Sequence, residues 1–178
     1  LTLKLTQTSV ALGKTAGLLQ AVNNVAIGAL SGGNQSNSAI SIGYRAGQTS
    51  QGLYGIAVGL DAGKNQAQDT IAVGRSAGNS AQGAESIAIG FLAGSTTQGS
   101  QSVAIGRSAG STTQGTFATA VGYGAGATTQ GANAVALGVS AGNNTQGAGS
   151  VAIGQVAGQT GQLANSVAVG RSAGTTNQ

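Results

Sequence analysis

The sequence predicts an all-β parallel solenoid of about eleven coils with 15 or 16 residues each. Three observations carry this. An apolar-Ala-apolar-Gly tetrapeptide recurs eleven times, from Val10-Ala11-Leu12-Gly13 to Val167-Ala168-Val169-Gly170. The step between tetrapeptide glycines is fifteen residues in three of the first four intervals and sixteen thereafter, which is short enough for one coil. The aliphatic residues keep strict phase, which a Gly/Ala-rich linker has no reason to do.

The chain divides into residues 1–8, a leading strand or cap, and an array over 9–178. Each coil begins with a short strand. The residue before the tetrapeptide glycine and the residue two before that are Val, Ile or Leu, with Thr119 the single exception. Period-two, largely β-branched residues read as a strand with both aliphatic columns inside. The residue between them faces the other way and is Ala in ten coils and Ser41 in one. The positions after the glycine vary freely, so this restriction is not recent duplication; it implies crowding on the second face. A coil of sixteen residues is too small to supply that crowding itself. The sequence therefore places Ala26, Ala57, Ala72, Ala88, Ala104, Ala120, Ala136, Ala152 and Ala168 at an interface with an identical neighbouring chain.

A second glycine follows four residues after the first in every coil. Gly90 and Gly94, Gly106 and Gly110, and Gly122 and Gly126 are such pairs, expected where the backbone turns a corner with positive φ or passes close to another strand. A polar stretch then ends in Gln, and the fifteen-residue coils lose their one residue between the second glycine and this Gln. The loop is thus expected to absorb the deletion while the strands stay in register. Gln amides and the hydroxyls of Thr96, Thr112, Thr128, Thr160 and Thr176 are expected to form ladders between coils.

Composition narrows the function classes. Cys, His, Met, Trp and Pro are absent, which removes disulfides, His/Cys metal sites and thiol or imidazole catalysis. No cofactor is expected. Seven cations against three carboxylates give a net charge of +4, but they are scattered, and nucleic-acid binding needs clustered phosphate contacts. Neither a membrane span nor a signal peptide is visible, and the lack of an initiator Met suggests a processed or excerpted chain. An extracellular, cell-surface or virion-surface location suits a cysteine-free chain.

The motifs Asn165-Ser166-Val167-Ala168-Val169-Gly170, Asn24-Val25-Ala26-Ile27-Gly28 and Ser102-Val103-Ala104-Ile105-Gly106 resemble the head-repeat signature of trimeric autotransporter adhesins, the YadA-like family. Similar repeats look familiar from viral and phage fibre proteins. The resemblance covers nearly the whole chain after Thr8. It implies a left-handed parallel β-roll, three chains packed about an axis, and attachment to a host-surface protein or glycan or to neighbouring surfaces.

Candidate sites are few. Directly after the tetrapeptide glycine, successive coils present Arg75, Phe91, Arg107 and Tyr123, a spacing that allows cation–π stacking and surface display. Asp69 and Glu85 share one column in adjacent coils and read as solvated corner charges, since a hydrolase would also need a cleft and a calcium cage more oxygen ligands. Leu1, Leu3 and Leu5 alternate with polar residues; this segment either caps the first coil or docks on the last coil of another molecule, building a filament. The expected function is a non-enzymatic structural or adhesive fibre or filament that partners itself as a homotrimer. The alternative is an ice-binding or ice-nucleating solenoid. That function wants two Thr columns on one face, whereas Thr96-Thr97, Thr112-Thr113 and Thr128-Thr129 are expected to split between faces.

Overall fold

A computed structural model describes residues 3–6 and 8–177. All its regular elements are strands, and they form a parallel β-solenoid. Two sheets run the length of the stack. The first has twelve strands: β1 (Leu3–Thr6), β2 (Ser9–Leu12), and then the apolar-Ala-apolar triplet of each following repeat. The second has nine two-residue strands, each ending in Gln, from Leu19–Gln20 to Thr145–Gln146. We refer to these as the aliphatic sheet and the glutamine sheet.

Register is strict, because every coil repeats the one below. Ile71, Ala72 and Val73 pair with Ile87, Ala88 and Ile89, and Thr97 and Gln98 with Thr113 and Gln114. The shorter coils do not shift it: Gln51 pairs with Gln66, and Gln66 with Gln82. The missing residue is taken from the bend between the second glycine and the glutamine strand, as the sequence indicated.

The two glycine columns have different reasons to be glycine. Gly106 has φ +121°, and a Cβ there would lie 2.6 Å from the carbonyl oxygen of Gly122 in the next coil. Gly94 has φ +51°, and a Cβ there would lie 2.5 Å from the side-chain oxygen of Gln98. Two further columns take left-handed φ without being glycine. One lies two residues after the tetrapeptide glycine, as in Arg45, Asp61 and Leu92; the other lies two residues before the strand, as in Asp69, Glu85 and Phe117. Each such residue costs about 1–2 kcal/mol against right-handed backbone. The inter-coil bonds hold them in place: the Leu92 amide donates to the Arg75 carbonyl at 3.0 Å, and the Glu85 amide to the Gln68 carbonyl at 3.0 Å.

The strand faces are reversed relative to the sequence expectation. Ala26, Ala57, Ala72, Ala88, Ala104, Ala120, Ala136 and Ala152 are completely buried within the single chain, and Ala168 nearly so. They point into the coil, where those from Ala57 onward join a second alanine column (Ala46, Ala62, Ala77 and onward) in one continuous core. They are therefore not an inter-chain interface. The crowding that restricts them comes from the chain's own glutamine sheet, packed so close that only Ala or, in one coil, Ser is accommodated. The aliphatic pair that flanks each Ala points outward, because neighbours two apart on a strand share the face opposite the residue between them.

Glutamine supplies the rest of the core. Gln98, Gln114, Gln130, Gln146 and Gln162 are each at most 2% exposed. The Gln114 Nε2 donates across the coil to the carbonyl of Val103 at 2.7 Å, and also to the carbonyl of Ala118 at 3.3 Å. Gln98 makes the same bonds to Ile87 and Ser102. The expected coil-to-coil amide ladder is present only in places, for example from Gln66 Nε2 to Gln82 Oε1 at 2.9 Å. The main task of each Gln is to tie its own two sheets together.

The leading segment folds back on its own chain. β1 is antiparallel to β2, with Leu3 opposite Leu12 and Leu5 opposite Val10. That pairing covers the edge of the first coil with the chain's own Leu3–Thr6; Leu1 lies outside the described residues. The return makes β1 the end strand of the sheet, an antiparallel edge in place of a parallel one.

Candidate functional site

The outward side of the aliphatic sheet is a chemically uniform surface. It consists of two columns of eleven residues, all Val, Ile or Leu except Thr119. The sheet holds them in line: Val103 and Ile105 pair in register with Ile87 and Ile89 on one side and with Thr119 and Val121 on the other. Ile89 is 38% exposed and Leu137 44%. At about 4.8 Å per coil, the strip is roughly 50 Å long and one three-residue strand, about 10 Å, wide. A continuous apolar strip of that size exceeds what scattered surface hydrophobes explain.

Two corner columns border this strip. On one edge lies the residue after the tetrapeptide glycine, where the expected stacking is present. The Arg75 guanidinium sits 4.1 Å from the centre of the Phe91 ring, and that of Arg107 lies 5.6 Å from Phe91 and 5.4 Å from Tyr123. Such contacts hold long side chains upright at about 0.5–1 kcal/mol each where exposed. On the opposite edge, Asp69 and Glu85 are exposed one coil apart, and Glu85 accepts a hydrogen bond from Gln101 Nε2 at 2.9 Å. Among the described residues the ion pairs all involve Asp61, which accepts from Arg45 at 2.8 Å and lies 3.7 Å from Lys64 Nζ.

After Leu19 the outer side of the glutamine sheet carries only Asn, Ser, Ala and Thr. Thr97, Thr113 and Thr129 stand in register there, with Thr96, Thr112 and Thr128 exposed beside them. The two threonines of each pair do not split between faces as expected, because the inward position belongs to Gln and the first Thr lies on the bend before the strand. Near the first coils, Leu18, Leu19 and Leu30 line a shallow open depression. Among the described residues, no helix is long and apolar enough to cross a membrane.

The aliphatic strip was the feature that sequence reasoning misplaced. Its signal was present in the strict alternation; what was missing was the side on which the coil closes. The fold defines the class of the molecule as a two-sheet parallel β-solenoid. No family model, no curated protein and no solved structure matches the chain.

Proposed function

We propose that this chain is a non-enzymatic structural protein: a rigid solenoid that associates with copies of itself to form the shaft or head of an adhesive surface fibre, at a cell or virion surface. Three copies side by side is the arrangement implied by the resemblance to trimeric adhesin head repeats. The observation that supports self-association is the unbroken outward strip of Val, Ile and Leu. Burying the remaining surface of such a side chain contributes up to about 1 kcal/mol, and the strip offers this at every coil. A flat, repeating apolar surface is complementary to its own copy in a way that a globular patch is not.

Sedimentation equilibrium tests the reading. The wild-type chain is expected to be an oligomer, and Ile89→Lys with Ile105→Lys to be a monomer with an unchanged circular dichroism spectrum, since both side chains already lie outside the coil. A wild-type chain that sediments as a monomer overturns the proposal.

A second reading draws support from the outer side of the glutamine sheet, where threonines are aligned and their neighbours are exposed next to them. An array of hydroxyls and methyls on a flat face suits ordered water, hence ice binding. Thermal hysteresis in the wild type that is lost in Thr113→Lys supports this reading; none at millimolar concentration removes it.

A further inference from the structure

We propose that the two edges of the aliphatic strip are complementary halves of one joint, so that copies of this chain meet parallel and in register, the glycine-side edge of one against the opposite edge of the next. This rests on the reading of the strip as a self-association surface.

The matching runs level by level along the stack. Each coil presents one residue on the glycine-side edge and, six positions earlier, one on the opposite edge. Tyr54 is level with Leu60, and Phe117 with Tyr123. All four are exposed, between 42% and 55%, and Tyr54 and Phe117 are the large apolar residues of their column. Asp69 is level with Arg75, and Glu85 is level with Phe91, one coil from Arg75 on one side and from Arg107 on the other. Apolar thus stands opposite apolar at two levels, and each acid lies level with an arginine or one coil from one.

This matching is not used inside the chain. A three-residue strand about 10 Å long, with a bend at each end, separates the two edges, and Arg75, Arg107, Asp69 and Glu85 take part in none of the ion pairs among the described residues. Symmetry supplies the use. Rotating copies about an axis parallel to the stack brings unlike edges together at equal height, for two copies or for three. A two-fold axis across the stack brings like edges together instead and sets Arg75 and Arg107 against the same column of another copy. Area points the same way. The strip alone offers about 500 Å² per copy, short of the roughly 800 Å² per partner of a stable interface. Including both edges doubles the width and passes that mark.

Two experiments decide it. In the first, Arg75→Glu with Arg107→Glu, and separately Asp69→Arg with Glu85→Arg, are each expected to raise the dissociation constant about tenfold or more at low salt. The four-residue swap, which restores opposite signs across the joint, is expected to return to wild-type affinity. The defect of the charge-reversed variants is expected to shrink in high salt, where exposed charges are screened. In the second, the absence of native Cys gives a clean background for cross-linking. Phe117→Cys with Tyr123→Cys in one chain is expected to oxidise to covalent oligomers, while either single substitution stays uncoupled. If charge reversal leaves association unchanged while Ile89→Lys with Ile105→Lys abolishes it, the joint is wrong and the apolar strip stands. Efficient dimers from Phe117→Cys alone show like edges meeting and overturn the parallel arrangement. If neither set of substitutions alters association, both readings fall.

Discussion

The two sheets of each coil solve opposite problems. The aliphatic sheet turns a methyl inward and large branched side chains outward; the glutamine sheet turns a long carboxamide inward and small polar residues outward. Between them the interior is filled by one short and one long partner, which is how a sixteen-residue coil closes without a conventional aliphatic core. The difference teaches that size and burial have come apart here. The bulkiest apolar residues are the ones left outside, and the most buried large side chains are polar.

The sharpest way to break that contrast is to enlarge a methyl. Ala104→Leu forces three extra carbons between two sheets that touch, beside the Gln114 carboxamide, and is expected to destabilise the fold by about 3 kcal/mol. Ile105→Ala, one residue on, removes as many carbons from the outside and is expected to cost less than about 1 kcal/mol in the isolated chain. Urea denaturation of both variants under conditions that keep the chain monomeric compares them directly. If Ile105→Ala proves the more damaging, the assignment of faces is wrong.

The next test addresses the glutamine sheet. Gln114→Leu keeps the volume but leaves the carbonyls of Val103 and Ala118 and the side-chain oxygen of Gln130 without the Nε2 donor they now share. A loss of about 2 kcal/mol is expected, against little change for Thr113→Ala on the outer side of the same strand.

The smallest effect comes from the one coil that departs from alanine. Ser41 Oγ accepts from Gln35 Nε2 at 3.0 Å and donates to Gln51 Oε1, whereas Oε1 of Gln98, Gln114, Gln146 and Gln162 is buried with no partner. Ala104 stands to Gln114 as Ser41 does to Gln51, ten residues earlier. Ala104→Ser is therefore expected to stabilise by about 1 kcal/mol, and Ser41→Ala to destabilise by a similar amount. Equal melting temperatures for all three chains would rule out this account of the serine.

Much of this architecture was legible beforehand. The tetrapeptide period gave the coil, the two glycine columns gave its corners, and the short coils showed where a residue can be lost without disturbing register. The spacing of Arg75, Phe91, Arg107 and Tyr123 gave their stacking, since side chains one coil apart in the same column must be neighbours. The left-handed residues at Asp69, Glu85 and Leu92 were not legible, because φ there is imposed by hydrogen bonds from the coil below rather than by residue type. Nor was the antiparallel return of β1, whose alternating Leu residues fit either strand direction.

The sequence by itself determined that this chain is a stack of identical coils, with its strands, bends and ladders in fixed places, because a strict repeat leaves each coil the same neighbours as the last. Only the tertiary structure decided which side of each strand is the inside. A period of two divides residues into two faces but is unchanged when the faces are exchanged. The choice is made by closure: the opposite sheet comes near enough to admit a methyl and a hydrogen-bonded carboxamide, and the larger side chains are left on the surface.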